Sequence, residues 1–339
     1  WDARAAASYL DARQTWWSGW KTAARDHETA CVSCHTALPF ALARPALRME
    51  LHEAEPSSAE RKMVDDVIKR VRLWNEVEPF YPDQTRGLPK TSESRGTESV
   101  LNALVLATQD ARRGQPSEDA RLAFDNMWAL QFRSGELDGG WAWLNFHNEP
   151  WEGNESPYFG ATLAAIAIGR EPGANLSSAE NKDRVKRLRE YLRKGIATQS
   201  LFNRAMLLWA SGGVPDLLTA AEKQAIVTAA CDRQAADGGW SLSMLGQWKR
   251  GDNTPLDTLS DGFATGLIAL ALQRGGVPTS DAHVSRALGW LVRHQDRKTG
   301  MWKASSLNKQ RDPKTDVGKF MSDAATAYAV LALTESRFP

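Results

Sequence analysis

The pentad Cys31-Val32-Ser33-Cys34-His35 is the stretch whose residue types and spacing point most directly to chemistry. Two thiols three positions apart suit two thioether bonds to the edge of a porphyrin. A histidine directly after the second thiol brings an imidazole beneath the iron, which is the attachment pattern of c-type haem. On that reading Cys31 and Cys34 are the covalent anchors and His35 is the metal ligand. A sixth ligand would come from Met49, Met63, Met244, Met321, His27 or His147. The same residues suit three other chemistries: a Cys31–Cys34 disulfide, a redox dithiol, or a zinc site that includes His35. Zinc needs a further ligand pair, and the remaining cysteine, Cys231, has no thiol or histidine near it in sequence. A thioredoxin-like dithiol expects βαβ surroundings, which the flanking sequence lacks.

Two further groups are candidates. Apolar helical segments open on ionisable residues, namely His35, Glu98, Glu155, Asp261 and Asp323. If these gather at one place, burial and mutual repulsion raise carboxylate pKa values, and Asp261 or Glu155 becomes a candidate catalytic acid. Ser and Asp are also favoured helix caps, so Ser260-Asp261 and Ser322-Asp323 equally read as capping pairs. The second group is the aromatic stretch holding Trp141, Trp143, Phe146, His147 and Trp151, with Trp248 in a corresponding later connection. Such loops lid a hydrophobic cavity, stack on sugar rings, or are pinned to the core by their own rings.

Helical periodicity supplies the elements that must position these residues. It predicts twelve helices, near 3–16, 35–49, 59–75, 97–112, 117–133, 157–169, 180–195, 200–211, 219–234, 260–274, 281–295 and 321–335. Amphipathic segments alternate with segments apolar nearly all round, such as 161–168 and 263–272, and the latter belong inside. Pro45 is expected to end or kink the second helix, and 78–95, rich in Pro, Asp, Thr, Ser and Gly, reads as a long surface connection.

Four variants of one phrase, at Gln14 to Trp20, Gln131 to Trp141, Gln234 to Trp240 and Gln295 to Trp302, set a glutamine and then a Gly-containing turn before a tryptophan. Six hairpins stacked about an axis would close into a single all-α domain over 1–339, an α/α toroid with the pentad near its N-terminal end. These phrases, with the openings Ser260-Asp261-Gly262-Phe263-Ala264-Thr265 and Ser322-Asp323-Ala324-Ala325-Thr326, resemble the repeats of squalene-hopene cyclases, oxidosqualene cyclases and prenyltransferase β-subunits. The resemblance covers essentially the whole chain and implies a terpenoid-cyclase-like toroid. The acidic motifs of the squalene cyclases do not occur, so ordinary cyclase activity is not implied.

With 42 basic and 41 acidic residues the net charge is +1, which removes the case for a nucleic-acid surface. No run approaches the roughly 18 apolar residues of a transmembrane span. Haem c is attached outside the bacterial cytoplasm, so the expected location is periplasmic or secreted, with a signal peptide absent from the numbered chain. The leading expectation is a cytochrome-like haem c protein with a redox or electron-transfer role. Its expected partners are a hydrophobic, isoprenoid-like molecule or a redox protein. The alternatives are a carboxylate-dependent cyclase or glycan-active enzyme on the same toroid, and a non-catalytic ligand-binding toroid with a Cys31–Cys34 disulfide.

Overall fold

The computed structural model describes residues 1–83, 87–172 and 178–335. Twelve α-helices lie among them: α1 (Ala3–Gly19), α2 (Ala37–Glu50), α3 (Ser58–Arg72), α4 (Thr91–Arg113), α5 (Glu118–Ala129), α6 (Ser156–Arg170), α7 (Ala179–Gly195), α8 (Leu201–Ala210), α9 (Ala220–Cys231), α10 (Gly262–Arg274), α11 (Ala282–His294) and α12 (Phe320–Glu335). A two-stranded antiparallel hairpin, β1 (Ala24–Arg25) with β2 (Thr29–Ala30), precedes the pentad. The fold is all-α.

Odd-numbered helices open on side-chain caps: Asp2, Ser57, Ser117, Ser178, Thr219 and Asp281 each accept from a first-turn backbone N–H. A cap satisfies donors that the helix itself leaves orphaned. These helices bury one face; α7, for example, buries only Val185, Leu188 and Leu192. Even-numbered helices are buried nearly all round, as α6, α10 and α12 show. They pack in cyclic order, α2 on α4, α4 on α6, α6 on α8, α8 on α10, α10 on α12, and α12 back on α2. Their inward aromatics fill the interior, with ring centroids 5.5 Å apart for Phe159–Phe202, 6.2 Å for Phe202–Phe263 and 5.2 Å for Phe263–Tyr328.

The recurrent phrase is a clamp. In three copies the glutamine Nε2 donates both to a carbonyl in its own turn and to a carbonyl on or beside the next odd-numbered helix. Gln131 holds Gly139 O and Arg184 O, Gln234 holds Gly238 O and His283 O, and Gln295 holds Gly300 O and Asp2 O. The tryptophan then turns its indole N–H back to the preceding helix, Trp141 to Met127 O, Trp240 to Ala230 O and Trp302 to Leu291 O, at 2.7–2.8 Å. Those carbonyls lie in last turns, where the helix supplies at most a tightened bond, as from Leu130 N–H to Met127 O and Arg233 N–H to Ala230 O. Thr265 and Thr326 complete the pattern, accepting the backbone N–H of Trp240 and Trp302. The copy at Gln14 departs from it: Gln14 donates to Ser18 Oγ, and it is Trp17 whose indole N–H reaches Cys31 O.

Of the two outcomes expected at Pro45, an end to the helix is not what is found, and the reading of 78–95 needs correction. Pro45 lies inside α2, which continues to Glu50. The residues from Ala37 to Leu47 are all buried, so packing on every side offsets the hydrogen bond that proline cannot donate. The stretch 78–95 is not wholly a surface connection: α4 begins at Thr91, and Phe80, Lys90 and Ser94 are buried. Residues 84–86 of that stretch lie outside the described residues.

Equivalent substitutions should therefore have equivalent cost. Trp141, Trp240 and Trp302 are each 0 % exposed, and replacing any of them with alanine should destabilise by about 3–5 kcal/mol. Gln295→Leu removes the side-chain donor from Gly300 O and Asp2 O, the latter keeping Ala6 N–H, and the acceptor from Asp2 N–H, and should cost about 1–3 kcal/mol. Gly300 has φ +82°, and a Cβ there would overlap the backbone of Ala5, so Gly300→Ala should also destabilise. Urea midpoints of the variants measure these effects, and wild-type midpoints throughout would refute the clamp.

Candidate functional site

The pentad lies between β2 and α2, in the turn that leads to Thr36 and the first residue of α2, Ala37. Cys31 N–H donates to Ala23 O at 2.9 Å and Cys31 O receives the Trp17 indole, which fixes the backbone at the first thiol. Ser33 Oγ accepts from the N–H groups of Thr36 and Ala37 and so opens α2. Cys31 and Cys34 are buried, free thiols. Burial pushes the Cys31 thiol up to about 12 and Cys34 well above its usual range, and Glu152 reinforces both shifts.

His35 is held by a relay that no sequence spacing discloses. Thr36 Oγ1 donates to Asp323 Oδ2 at 2.7 Å, across 287 residues. The hydroxyl has one proton, so it accepts from His35 Nδ1 at 2.8 Å, and Nδ1 carries the imidazole proton. His35 Nε2 is left with a free lone pair. The ring stacks on Phe320 at 3.8 Å and meets Trp17 edge-on at 4.9 Å. Burial, then Arg13 and Arg311, lower its pKa to about 3, so the imidazole is neutral. Asp323 also accepts from Tyr9 Oη at 2.8 Å and Arg13 Nε at 2.7 Å.

A pocket of about 140 Å³ opens beside this imidazole, lined among others by Cys34, His35, Trp151, Glu152, Arg311 and Met321. Two connections frame it, 141–155 and 303–319. Asn308 joins them, accepting from Glu149 N–H at 2.7 Å and donating to Glu149 O at 3.0 Å. Glu152 is pushed up to about 7 by burial, which hydrogen bonding from Asn148 and the charge of Lys90 oppose. The indole Nε1 of Trp151 is buried with no partner among the described residues. The pocket is thus lined by Arg311, which has no hydrogen bond among the described residues, and by the imidazole of His35, while the unpartnered Trp151 Nε1 is buried in its wall. Of the candidate sixth ligands, only Met321 lines it; Met63 is buried on α3, His147 and Met244 are exposed, His27 pairs with Asp26, and Met49 lies at the opposite mouth.

The other ionisable residues are otherwise engaged. Glu98 is fully buried and binds Arg70 through both carboxylate oxygens, at 2.6 and 3.2 Å. Arg70 also reaches Asp26 and Thr29, which pins the hairpin ahead of Cys31. Glu155 is exposed and accepts from Ser200 N–H and Asn203 Nδ2. Asp261 is the cap of α10: Oδ1 accepts from Phe263 and Ala264 at 2.9 Å, and Oδ2 from Leu242 at 2.5 Å. Ser260 is not the cap, because its hydroxyl donates to Asp237. Burial raises Asp261 to about 7 against these three donors. The space beside it is about 30 Å³, far below what a polyprene occupies. Trp141 and Trp143 are core residues, Phe146 packs on Tyr81, and Trp248 packs edge-on to Phe202.

No protein-family model matches the chain, and no curated protein is significantly similar to it. Among the described residues no three His, Cys, Asp or Glu side chains are grouped to hold a metal ion, and no helix is long and apolar enough to cross a membrane.

Two substitutions separate the carboxylates. Asp261→Asn keeps one acceptor oxygen but turns an NH2 toward a backbone N–H. It should cost about 1–3 kcal/mol, more than an ordinary Asp-to-Asn cap change. Glu152 has a folded pKa above its ordinary value of 4.5, so its ionisation opposes folding, and stability is lost as pH rises from that value through about 7. Glu152→Gln should match wild type at pH 4 and exceed it at pH 8 in urea midpoint; equal midpoints at both would show that Glu152 is not buried as an acid.

Proposed function

We propose that this chain is a c-type haem protein on an α/α toroid of the terpenoid-cyclase-like kind its repeats resemble, with a redox or electron-transfer role and a periplasmic or secreted location. The supporting observation is the Asp323–Thr36–His35 relay. It leaves Nε2 unprotonated in a pocket that Cys34 and Met321 also line. A carboxylate orienting a histidine from its far nitrogen is how metal-ligating imidazoles are usually held. Cys31 and Cys34 would hold the porphyrin, His35 and Met321 would be ligands to the iron, and Arg311 is a donor of the type a propionate accepts. Bound haem would supply a one-electron couple. The chain's own part is to fix the imidazole tautomer, exclude water with Phe320 and Trp17, and keep a low-dielectric wall around the site.

The residues fit haem in kind. The pocket's 140 Å³ is well below the roughly 300–1,000 Å³ that encloses a drug-sized ligand, so attachment requires the two framing connections to part. A thiol–disulfide exchange site is less well supported, because burial keeps both thiols protonated, and reactive dithiols depend on a lowered pKa. An isoprenoid-like ligand would, like haem, need more room at this mouth than the 140 Å³ pocket gives.

Protein exported through a host with haem c assembly should carry one covalent haem by intact mass and show a Soret band. Both should vanish in the double variant Cys31→Ala/Cys34→Ala. His35→Ala should keep the mass and change the spectrum, and Met321→Ala should shift the reduction potential. A wild-type mass two hydrogens below the bare chain would establish the disulfide and overturn the haem reading.

A further inference from the structure

The mouth opposite the pentad is built differently. The connections there are short, at 51–57, 114–117, 211–219 and 275–281, and they leave a cavity of about 480 Å³ between the last turns of α2, α4, α6, α10 and α12. One wall is apolar, from Leu42, Ala46, Met49 and Leu331; facing it are Arg112, Arg170 and Arg274 with a single carboxylate, Glu335. Glu335 Oε2 takes Arg274 Nη2 at 2.6 Å. Arg170 donates to Thr108 Oγ1 at 2.9 Å and lies over the Trp209 ring. Among the described residues neither Arg170 nor Arg112 has a paired carboxylate.

Cations at helix C-termini ordinarily complement the exposed carbonyls. If that were their whole role, these guanidinium groups would end on last-turn carbonyls. Among the described residues Arg170 ends on a hydroxyl and a ring, Arg274 ends on Glu335, and Arg112 has no such bond. The arginines also repel one another: burial first, then Arg274 and Arg112, lower the Arg170 pKa to about 9 against the opposing charge of Glu335. Like charges gathered at a cavity with one counter-charge call for an anion.

We propose that this cavity binds a small organic dianion, a phosphate ester or phosphonate in kind, with its acidic group on Arg112, Arg170 and Arg274 and a compact apolar body against Leu42, Ala46, Met49 and Leu331. Guanidinium forks match phosphate oxygens two at a time, and the volume falls in the range of small-molecule sites. The inference does not depend on the haem reading, since the two sites lie at opposite ends of the even-numbered helices.

Isothermal titration of the full chain with phenyl phosphate tests it, with inorganic phosphate and benzyl alcohol as probes that lack the body or the charge. Phenyl phosphate should bind about tenfold more tightly than either. Arg170→Gln and Arg112→Gln should each weaken it by about tenfold or more at unchanged melting temperature. Arg112 is exposed, so its variant decides the matter if Arg170→Gln fails to fold. The proposal is overturned if folded protein gives no heat with phenyl phosphate, if inorganic phosphate binds equally well, or if the Arg112 variant binds as wild type does.

Discussion

One side-chain amide, repeated at Gln131, Gln234 and Gln295, ties one odd-numbered helix to the next at three junctions. Its two N–H groups are divided between a carbonyl in the turn that ends one odd-numbered helix and a carbonyl at the following one. The bonds to Gly139 O and Gly300 O are buried, and there a missing donor costs more than the bond itself contributes. At Gln295 the following helix is α1, and Asp2 N–H also donates to Gln295 Oε1 at 2.6 Å, so the clamp joins residues 293 apart. With α12 seated on α2, the even-numbered helices have neighbours on both sides, which is why they are apolar around their whole circumference.

That closure makes the two mouths unequal. Each clamp is followed by a buried tryptophan, and the chain must then travel back to the start of an even-numbered helix. The resulting connections, 141–155, 241–261 and 303–319, cross-link over one mouth through Asn308 and through Arg250, which donates to Ser306 O and Pro255 O. The return connections are too short to cover the other mouth, so the larger opening lies there, among helix C-termini and arginines.

Buried charge in this molecule serves mainly to tie segments together. Glu98 with Arg70 and Asp323 with Arg13 bring chemically promising carboxylates into tight pairs, each supplemented by further hydrogen bonds. Breaking such a pair strands an ion out of water, so these residues are poor candidates for an acid that must release its proton. Asp323 nevertheless acts on His35 indirectly, through the tautomer that Thr36 imposes on it.

The sequence by itself determined the twelve helices, their alternation and the equivalence of Trp141, Trp240 and Trp302. Periodicity, caps and a glycine at a left-handed turn are local properties, legible within a few residues. The pentad likewise announced Cys31, Cys34 and His35. Only the tertiary structure decided which distant groups meet them. Thr36 and Asp323 become neighbours because α12 closes against α2, and Met321 shares the pocket for the same reason, while Met49 is carried to the far mouth by the length of α2. Arg112, Arg170 and Arg274 each look in sequence like an ordinary last-turn cation. They become a cluster because parallel helices of a ring end at one place, and no spacing along the chain encodes that convergence.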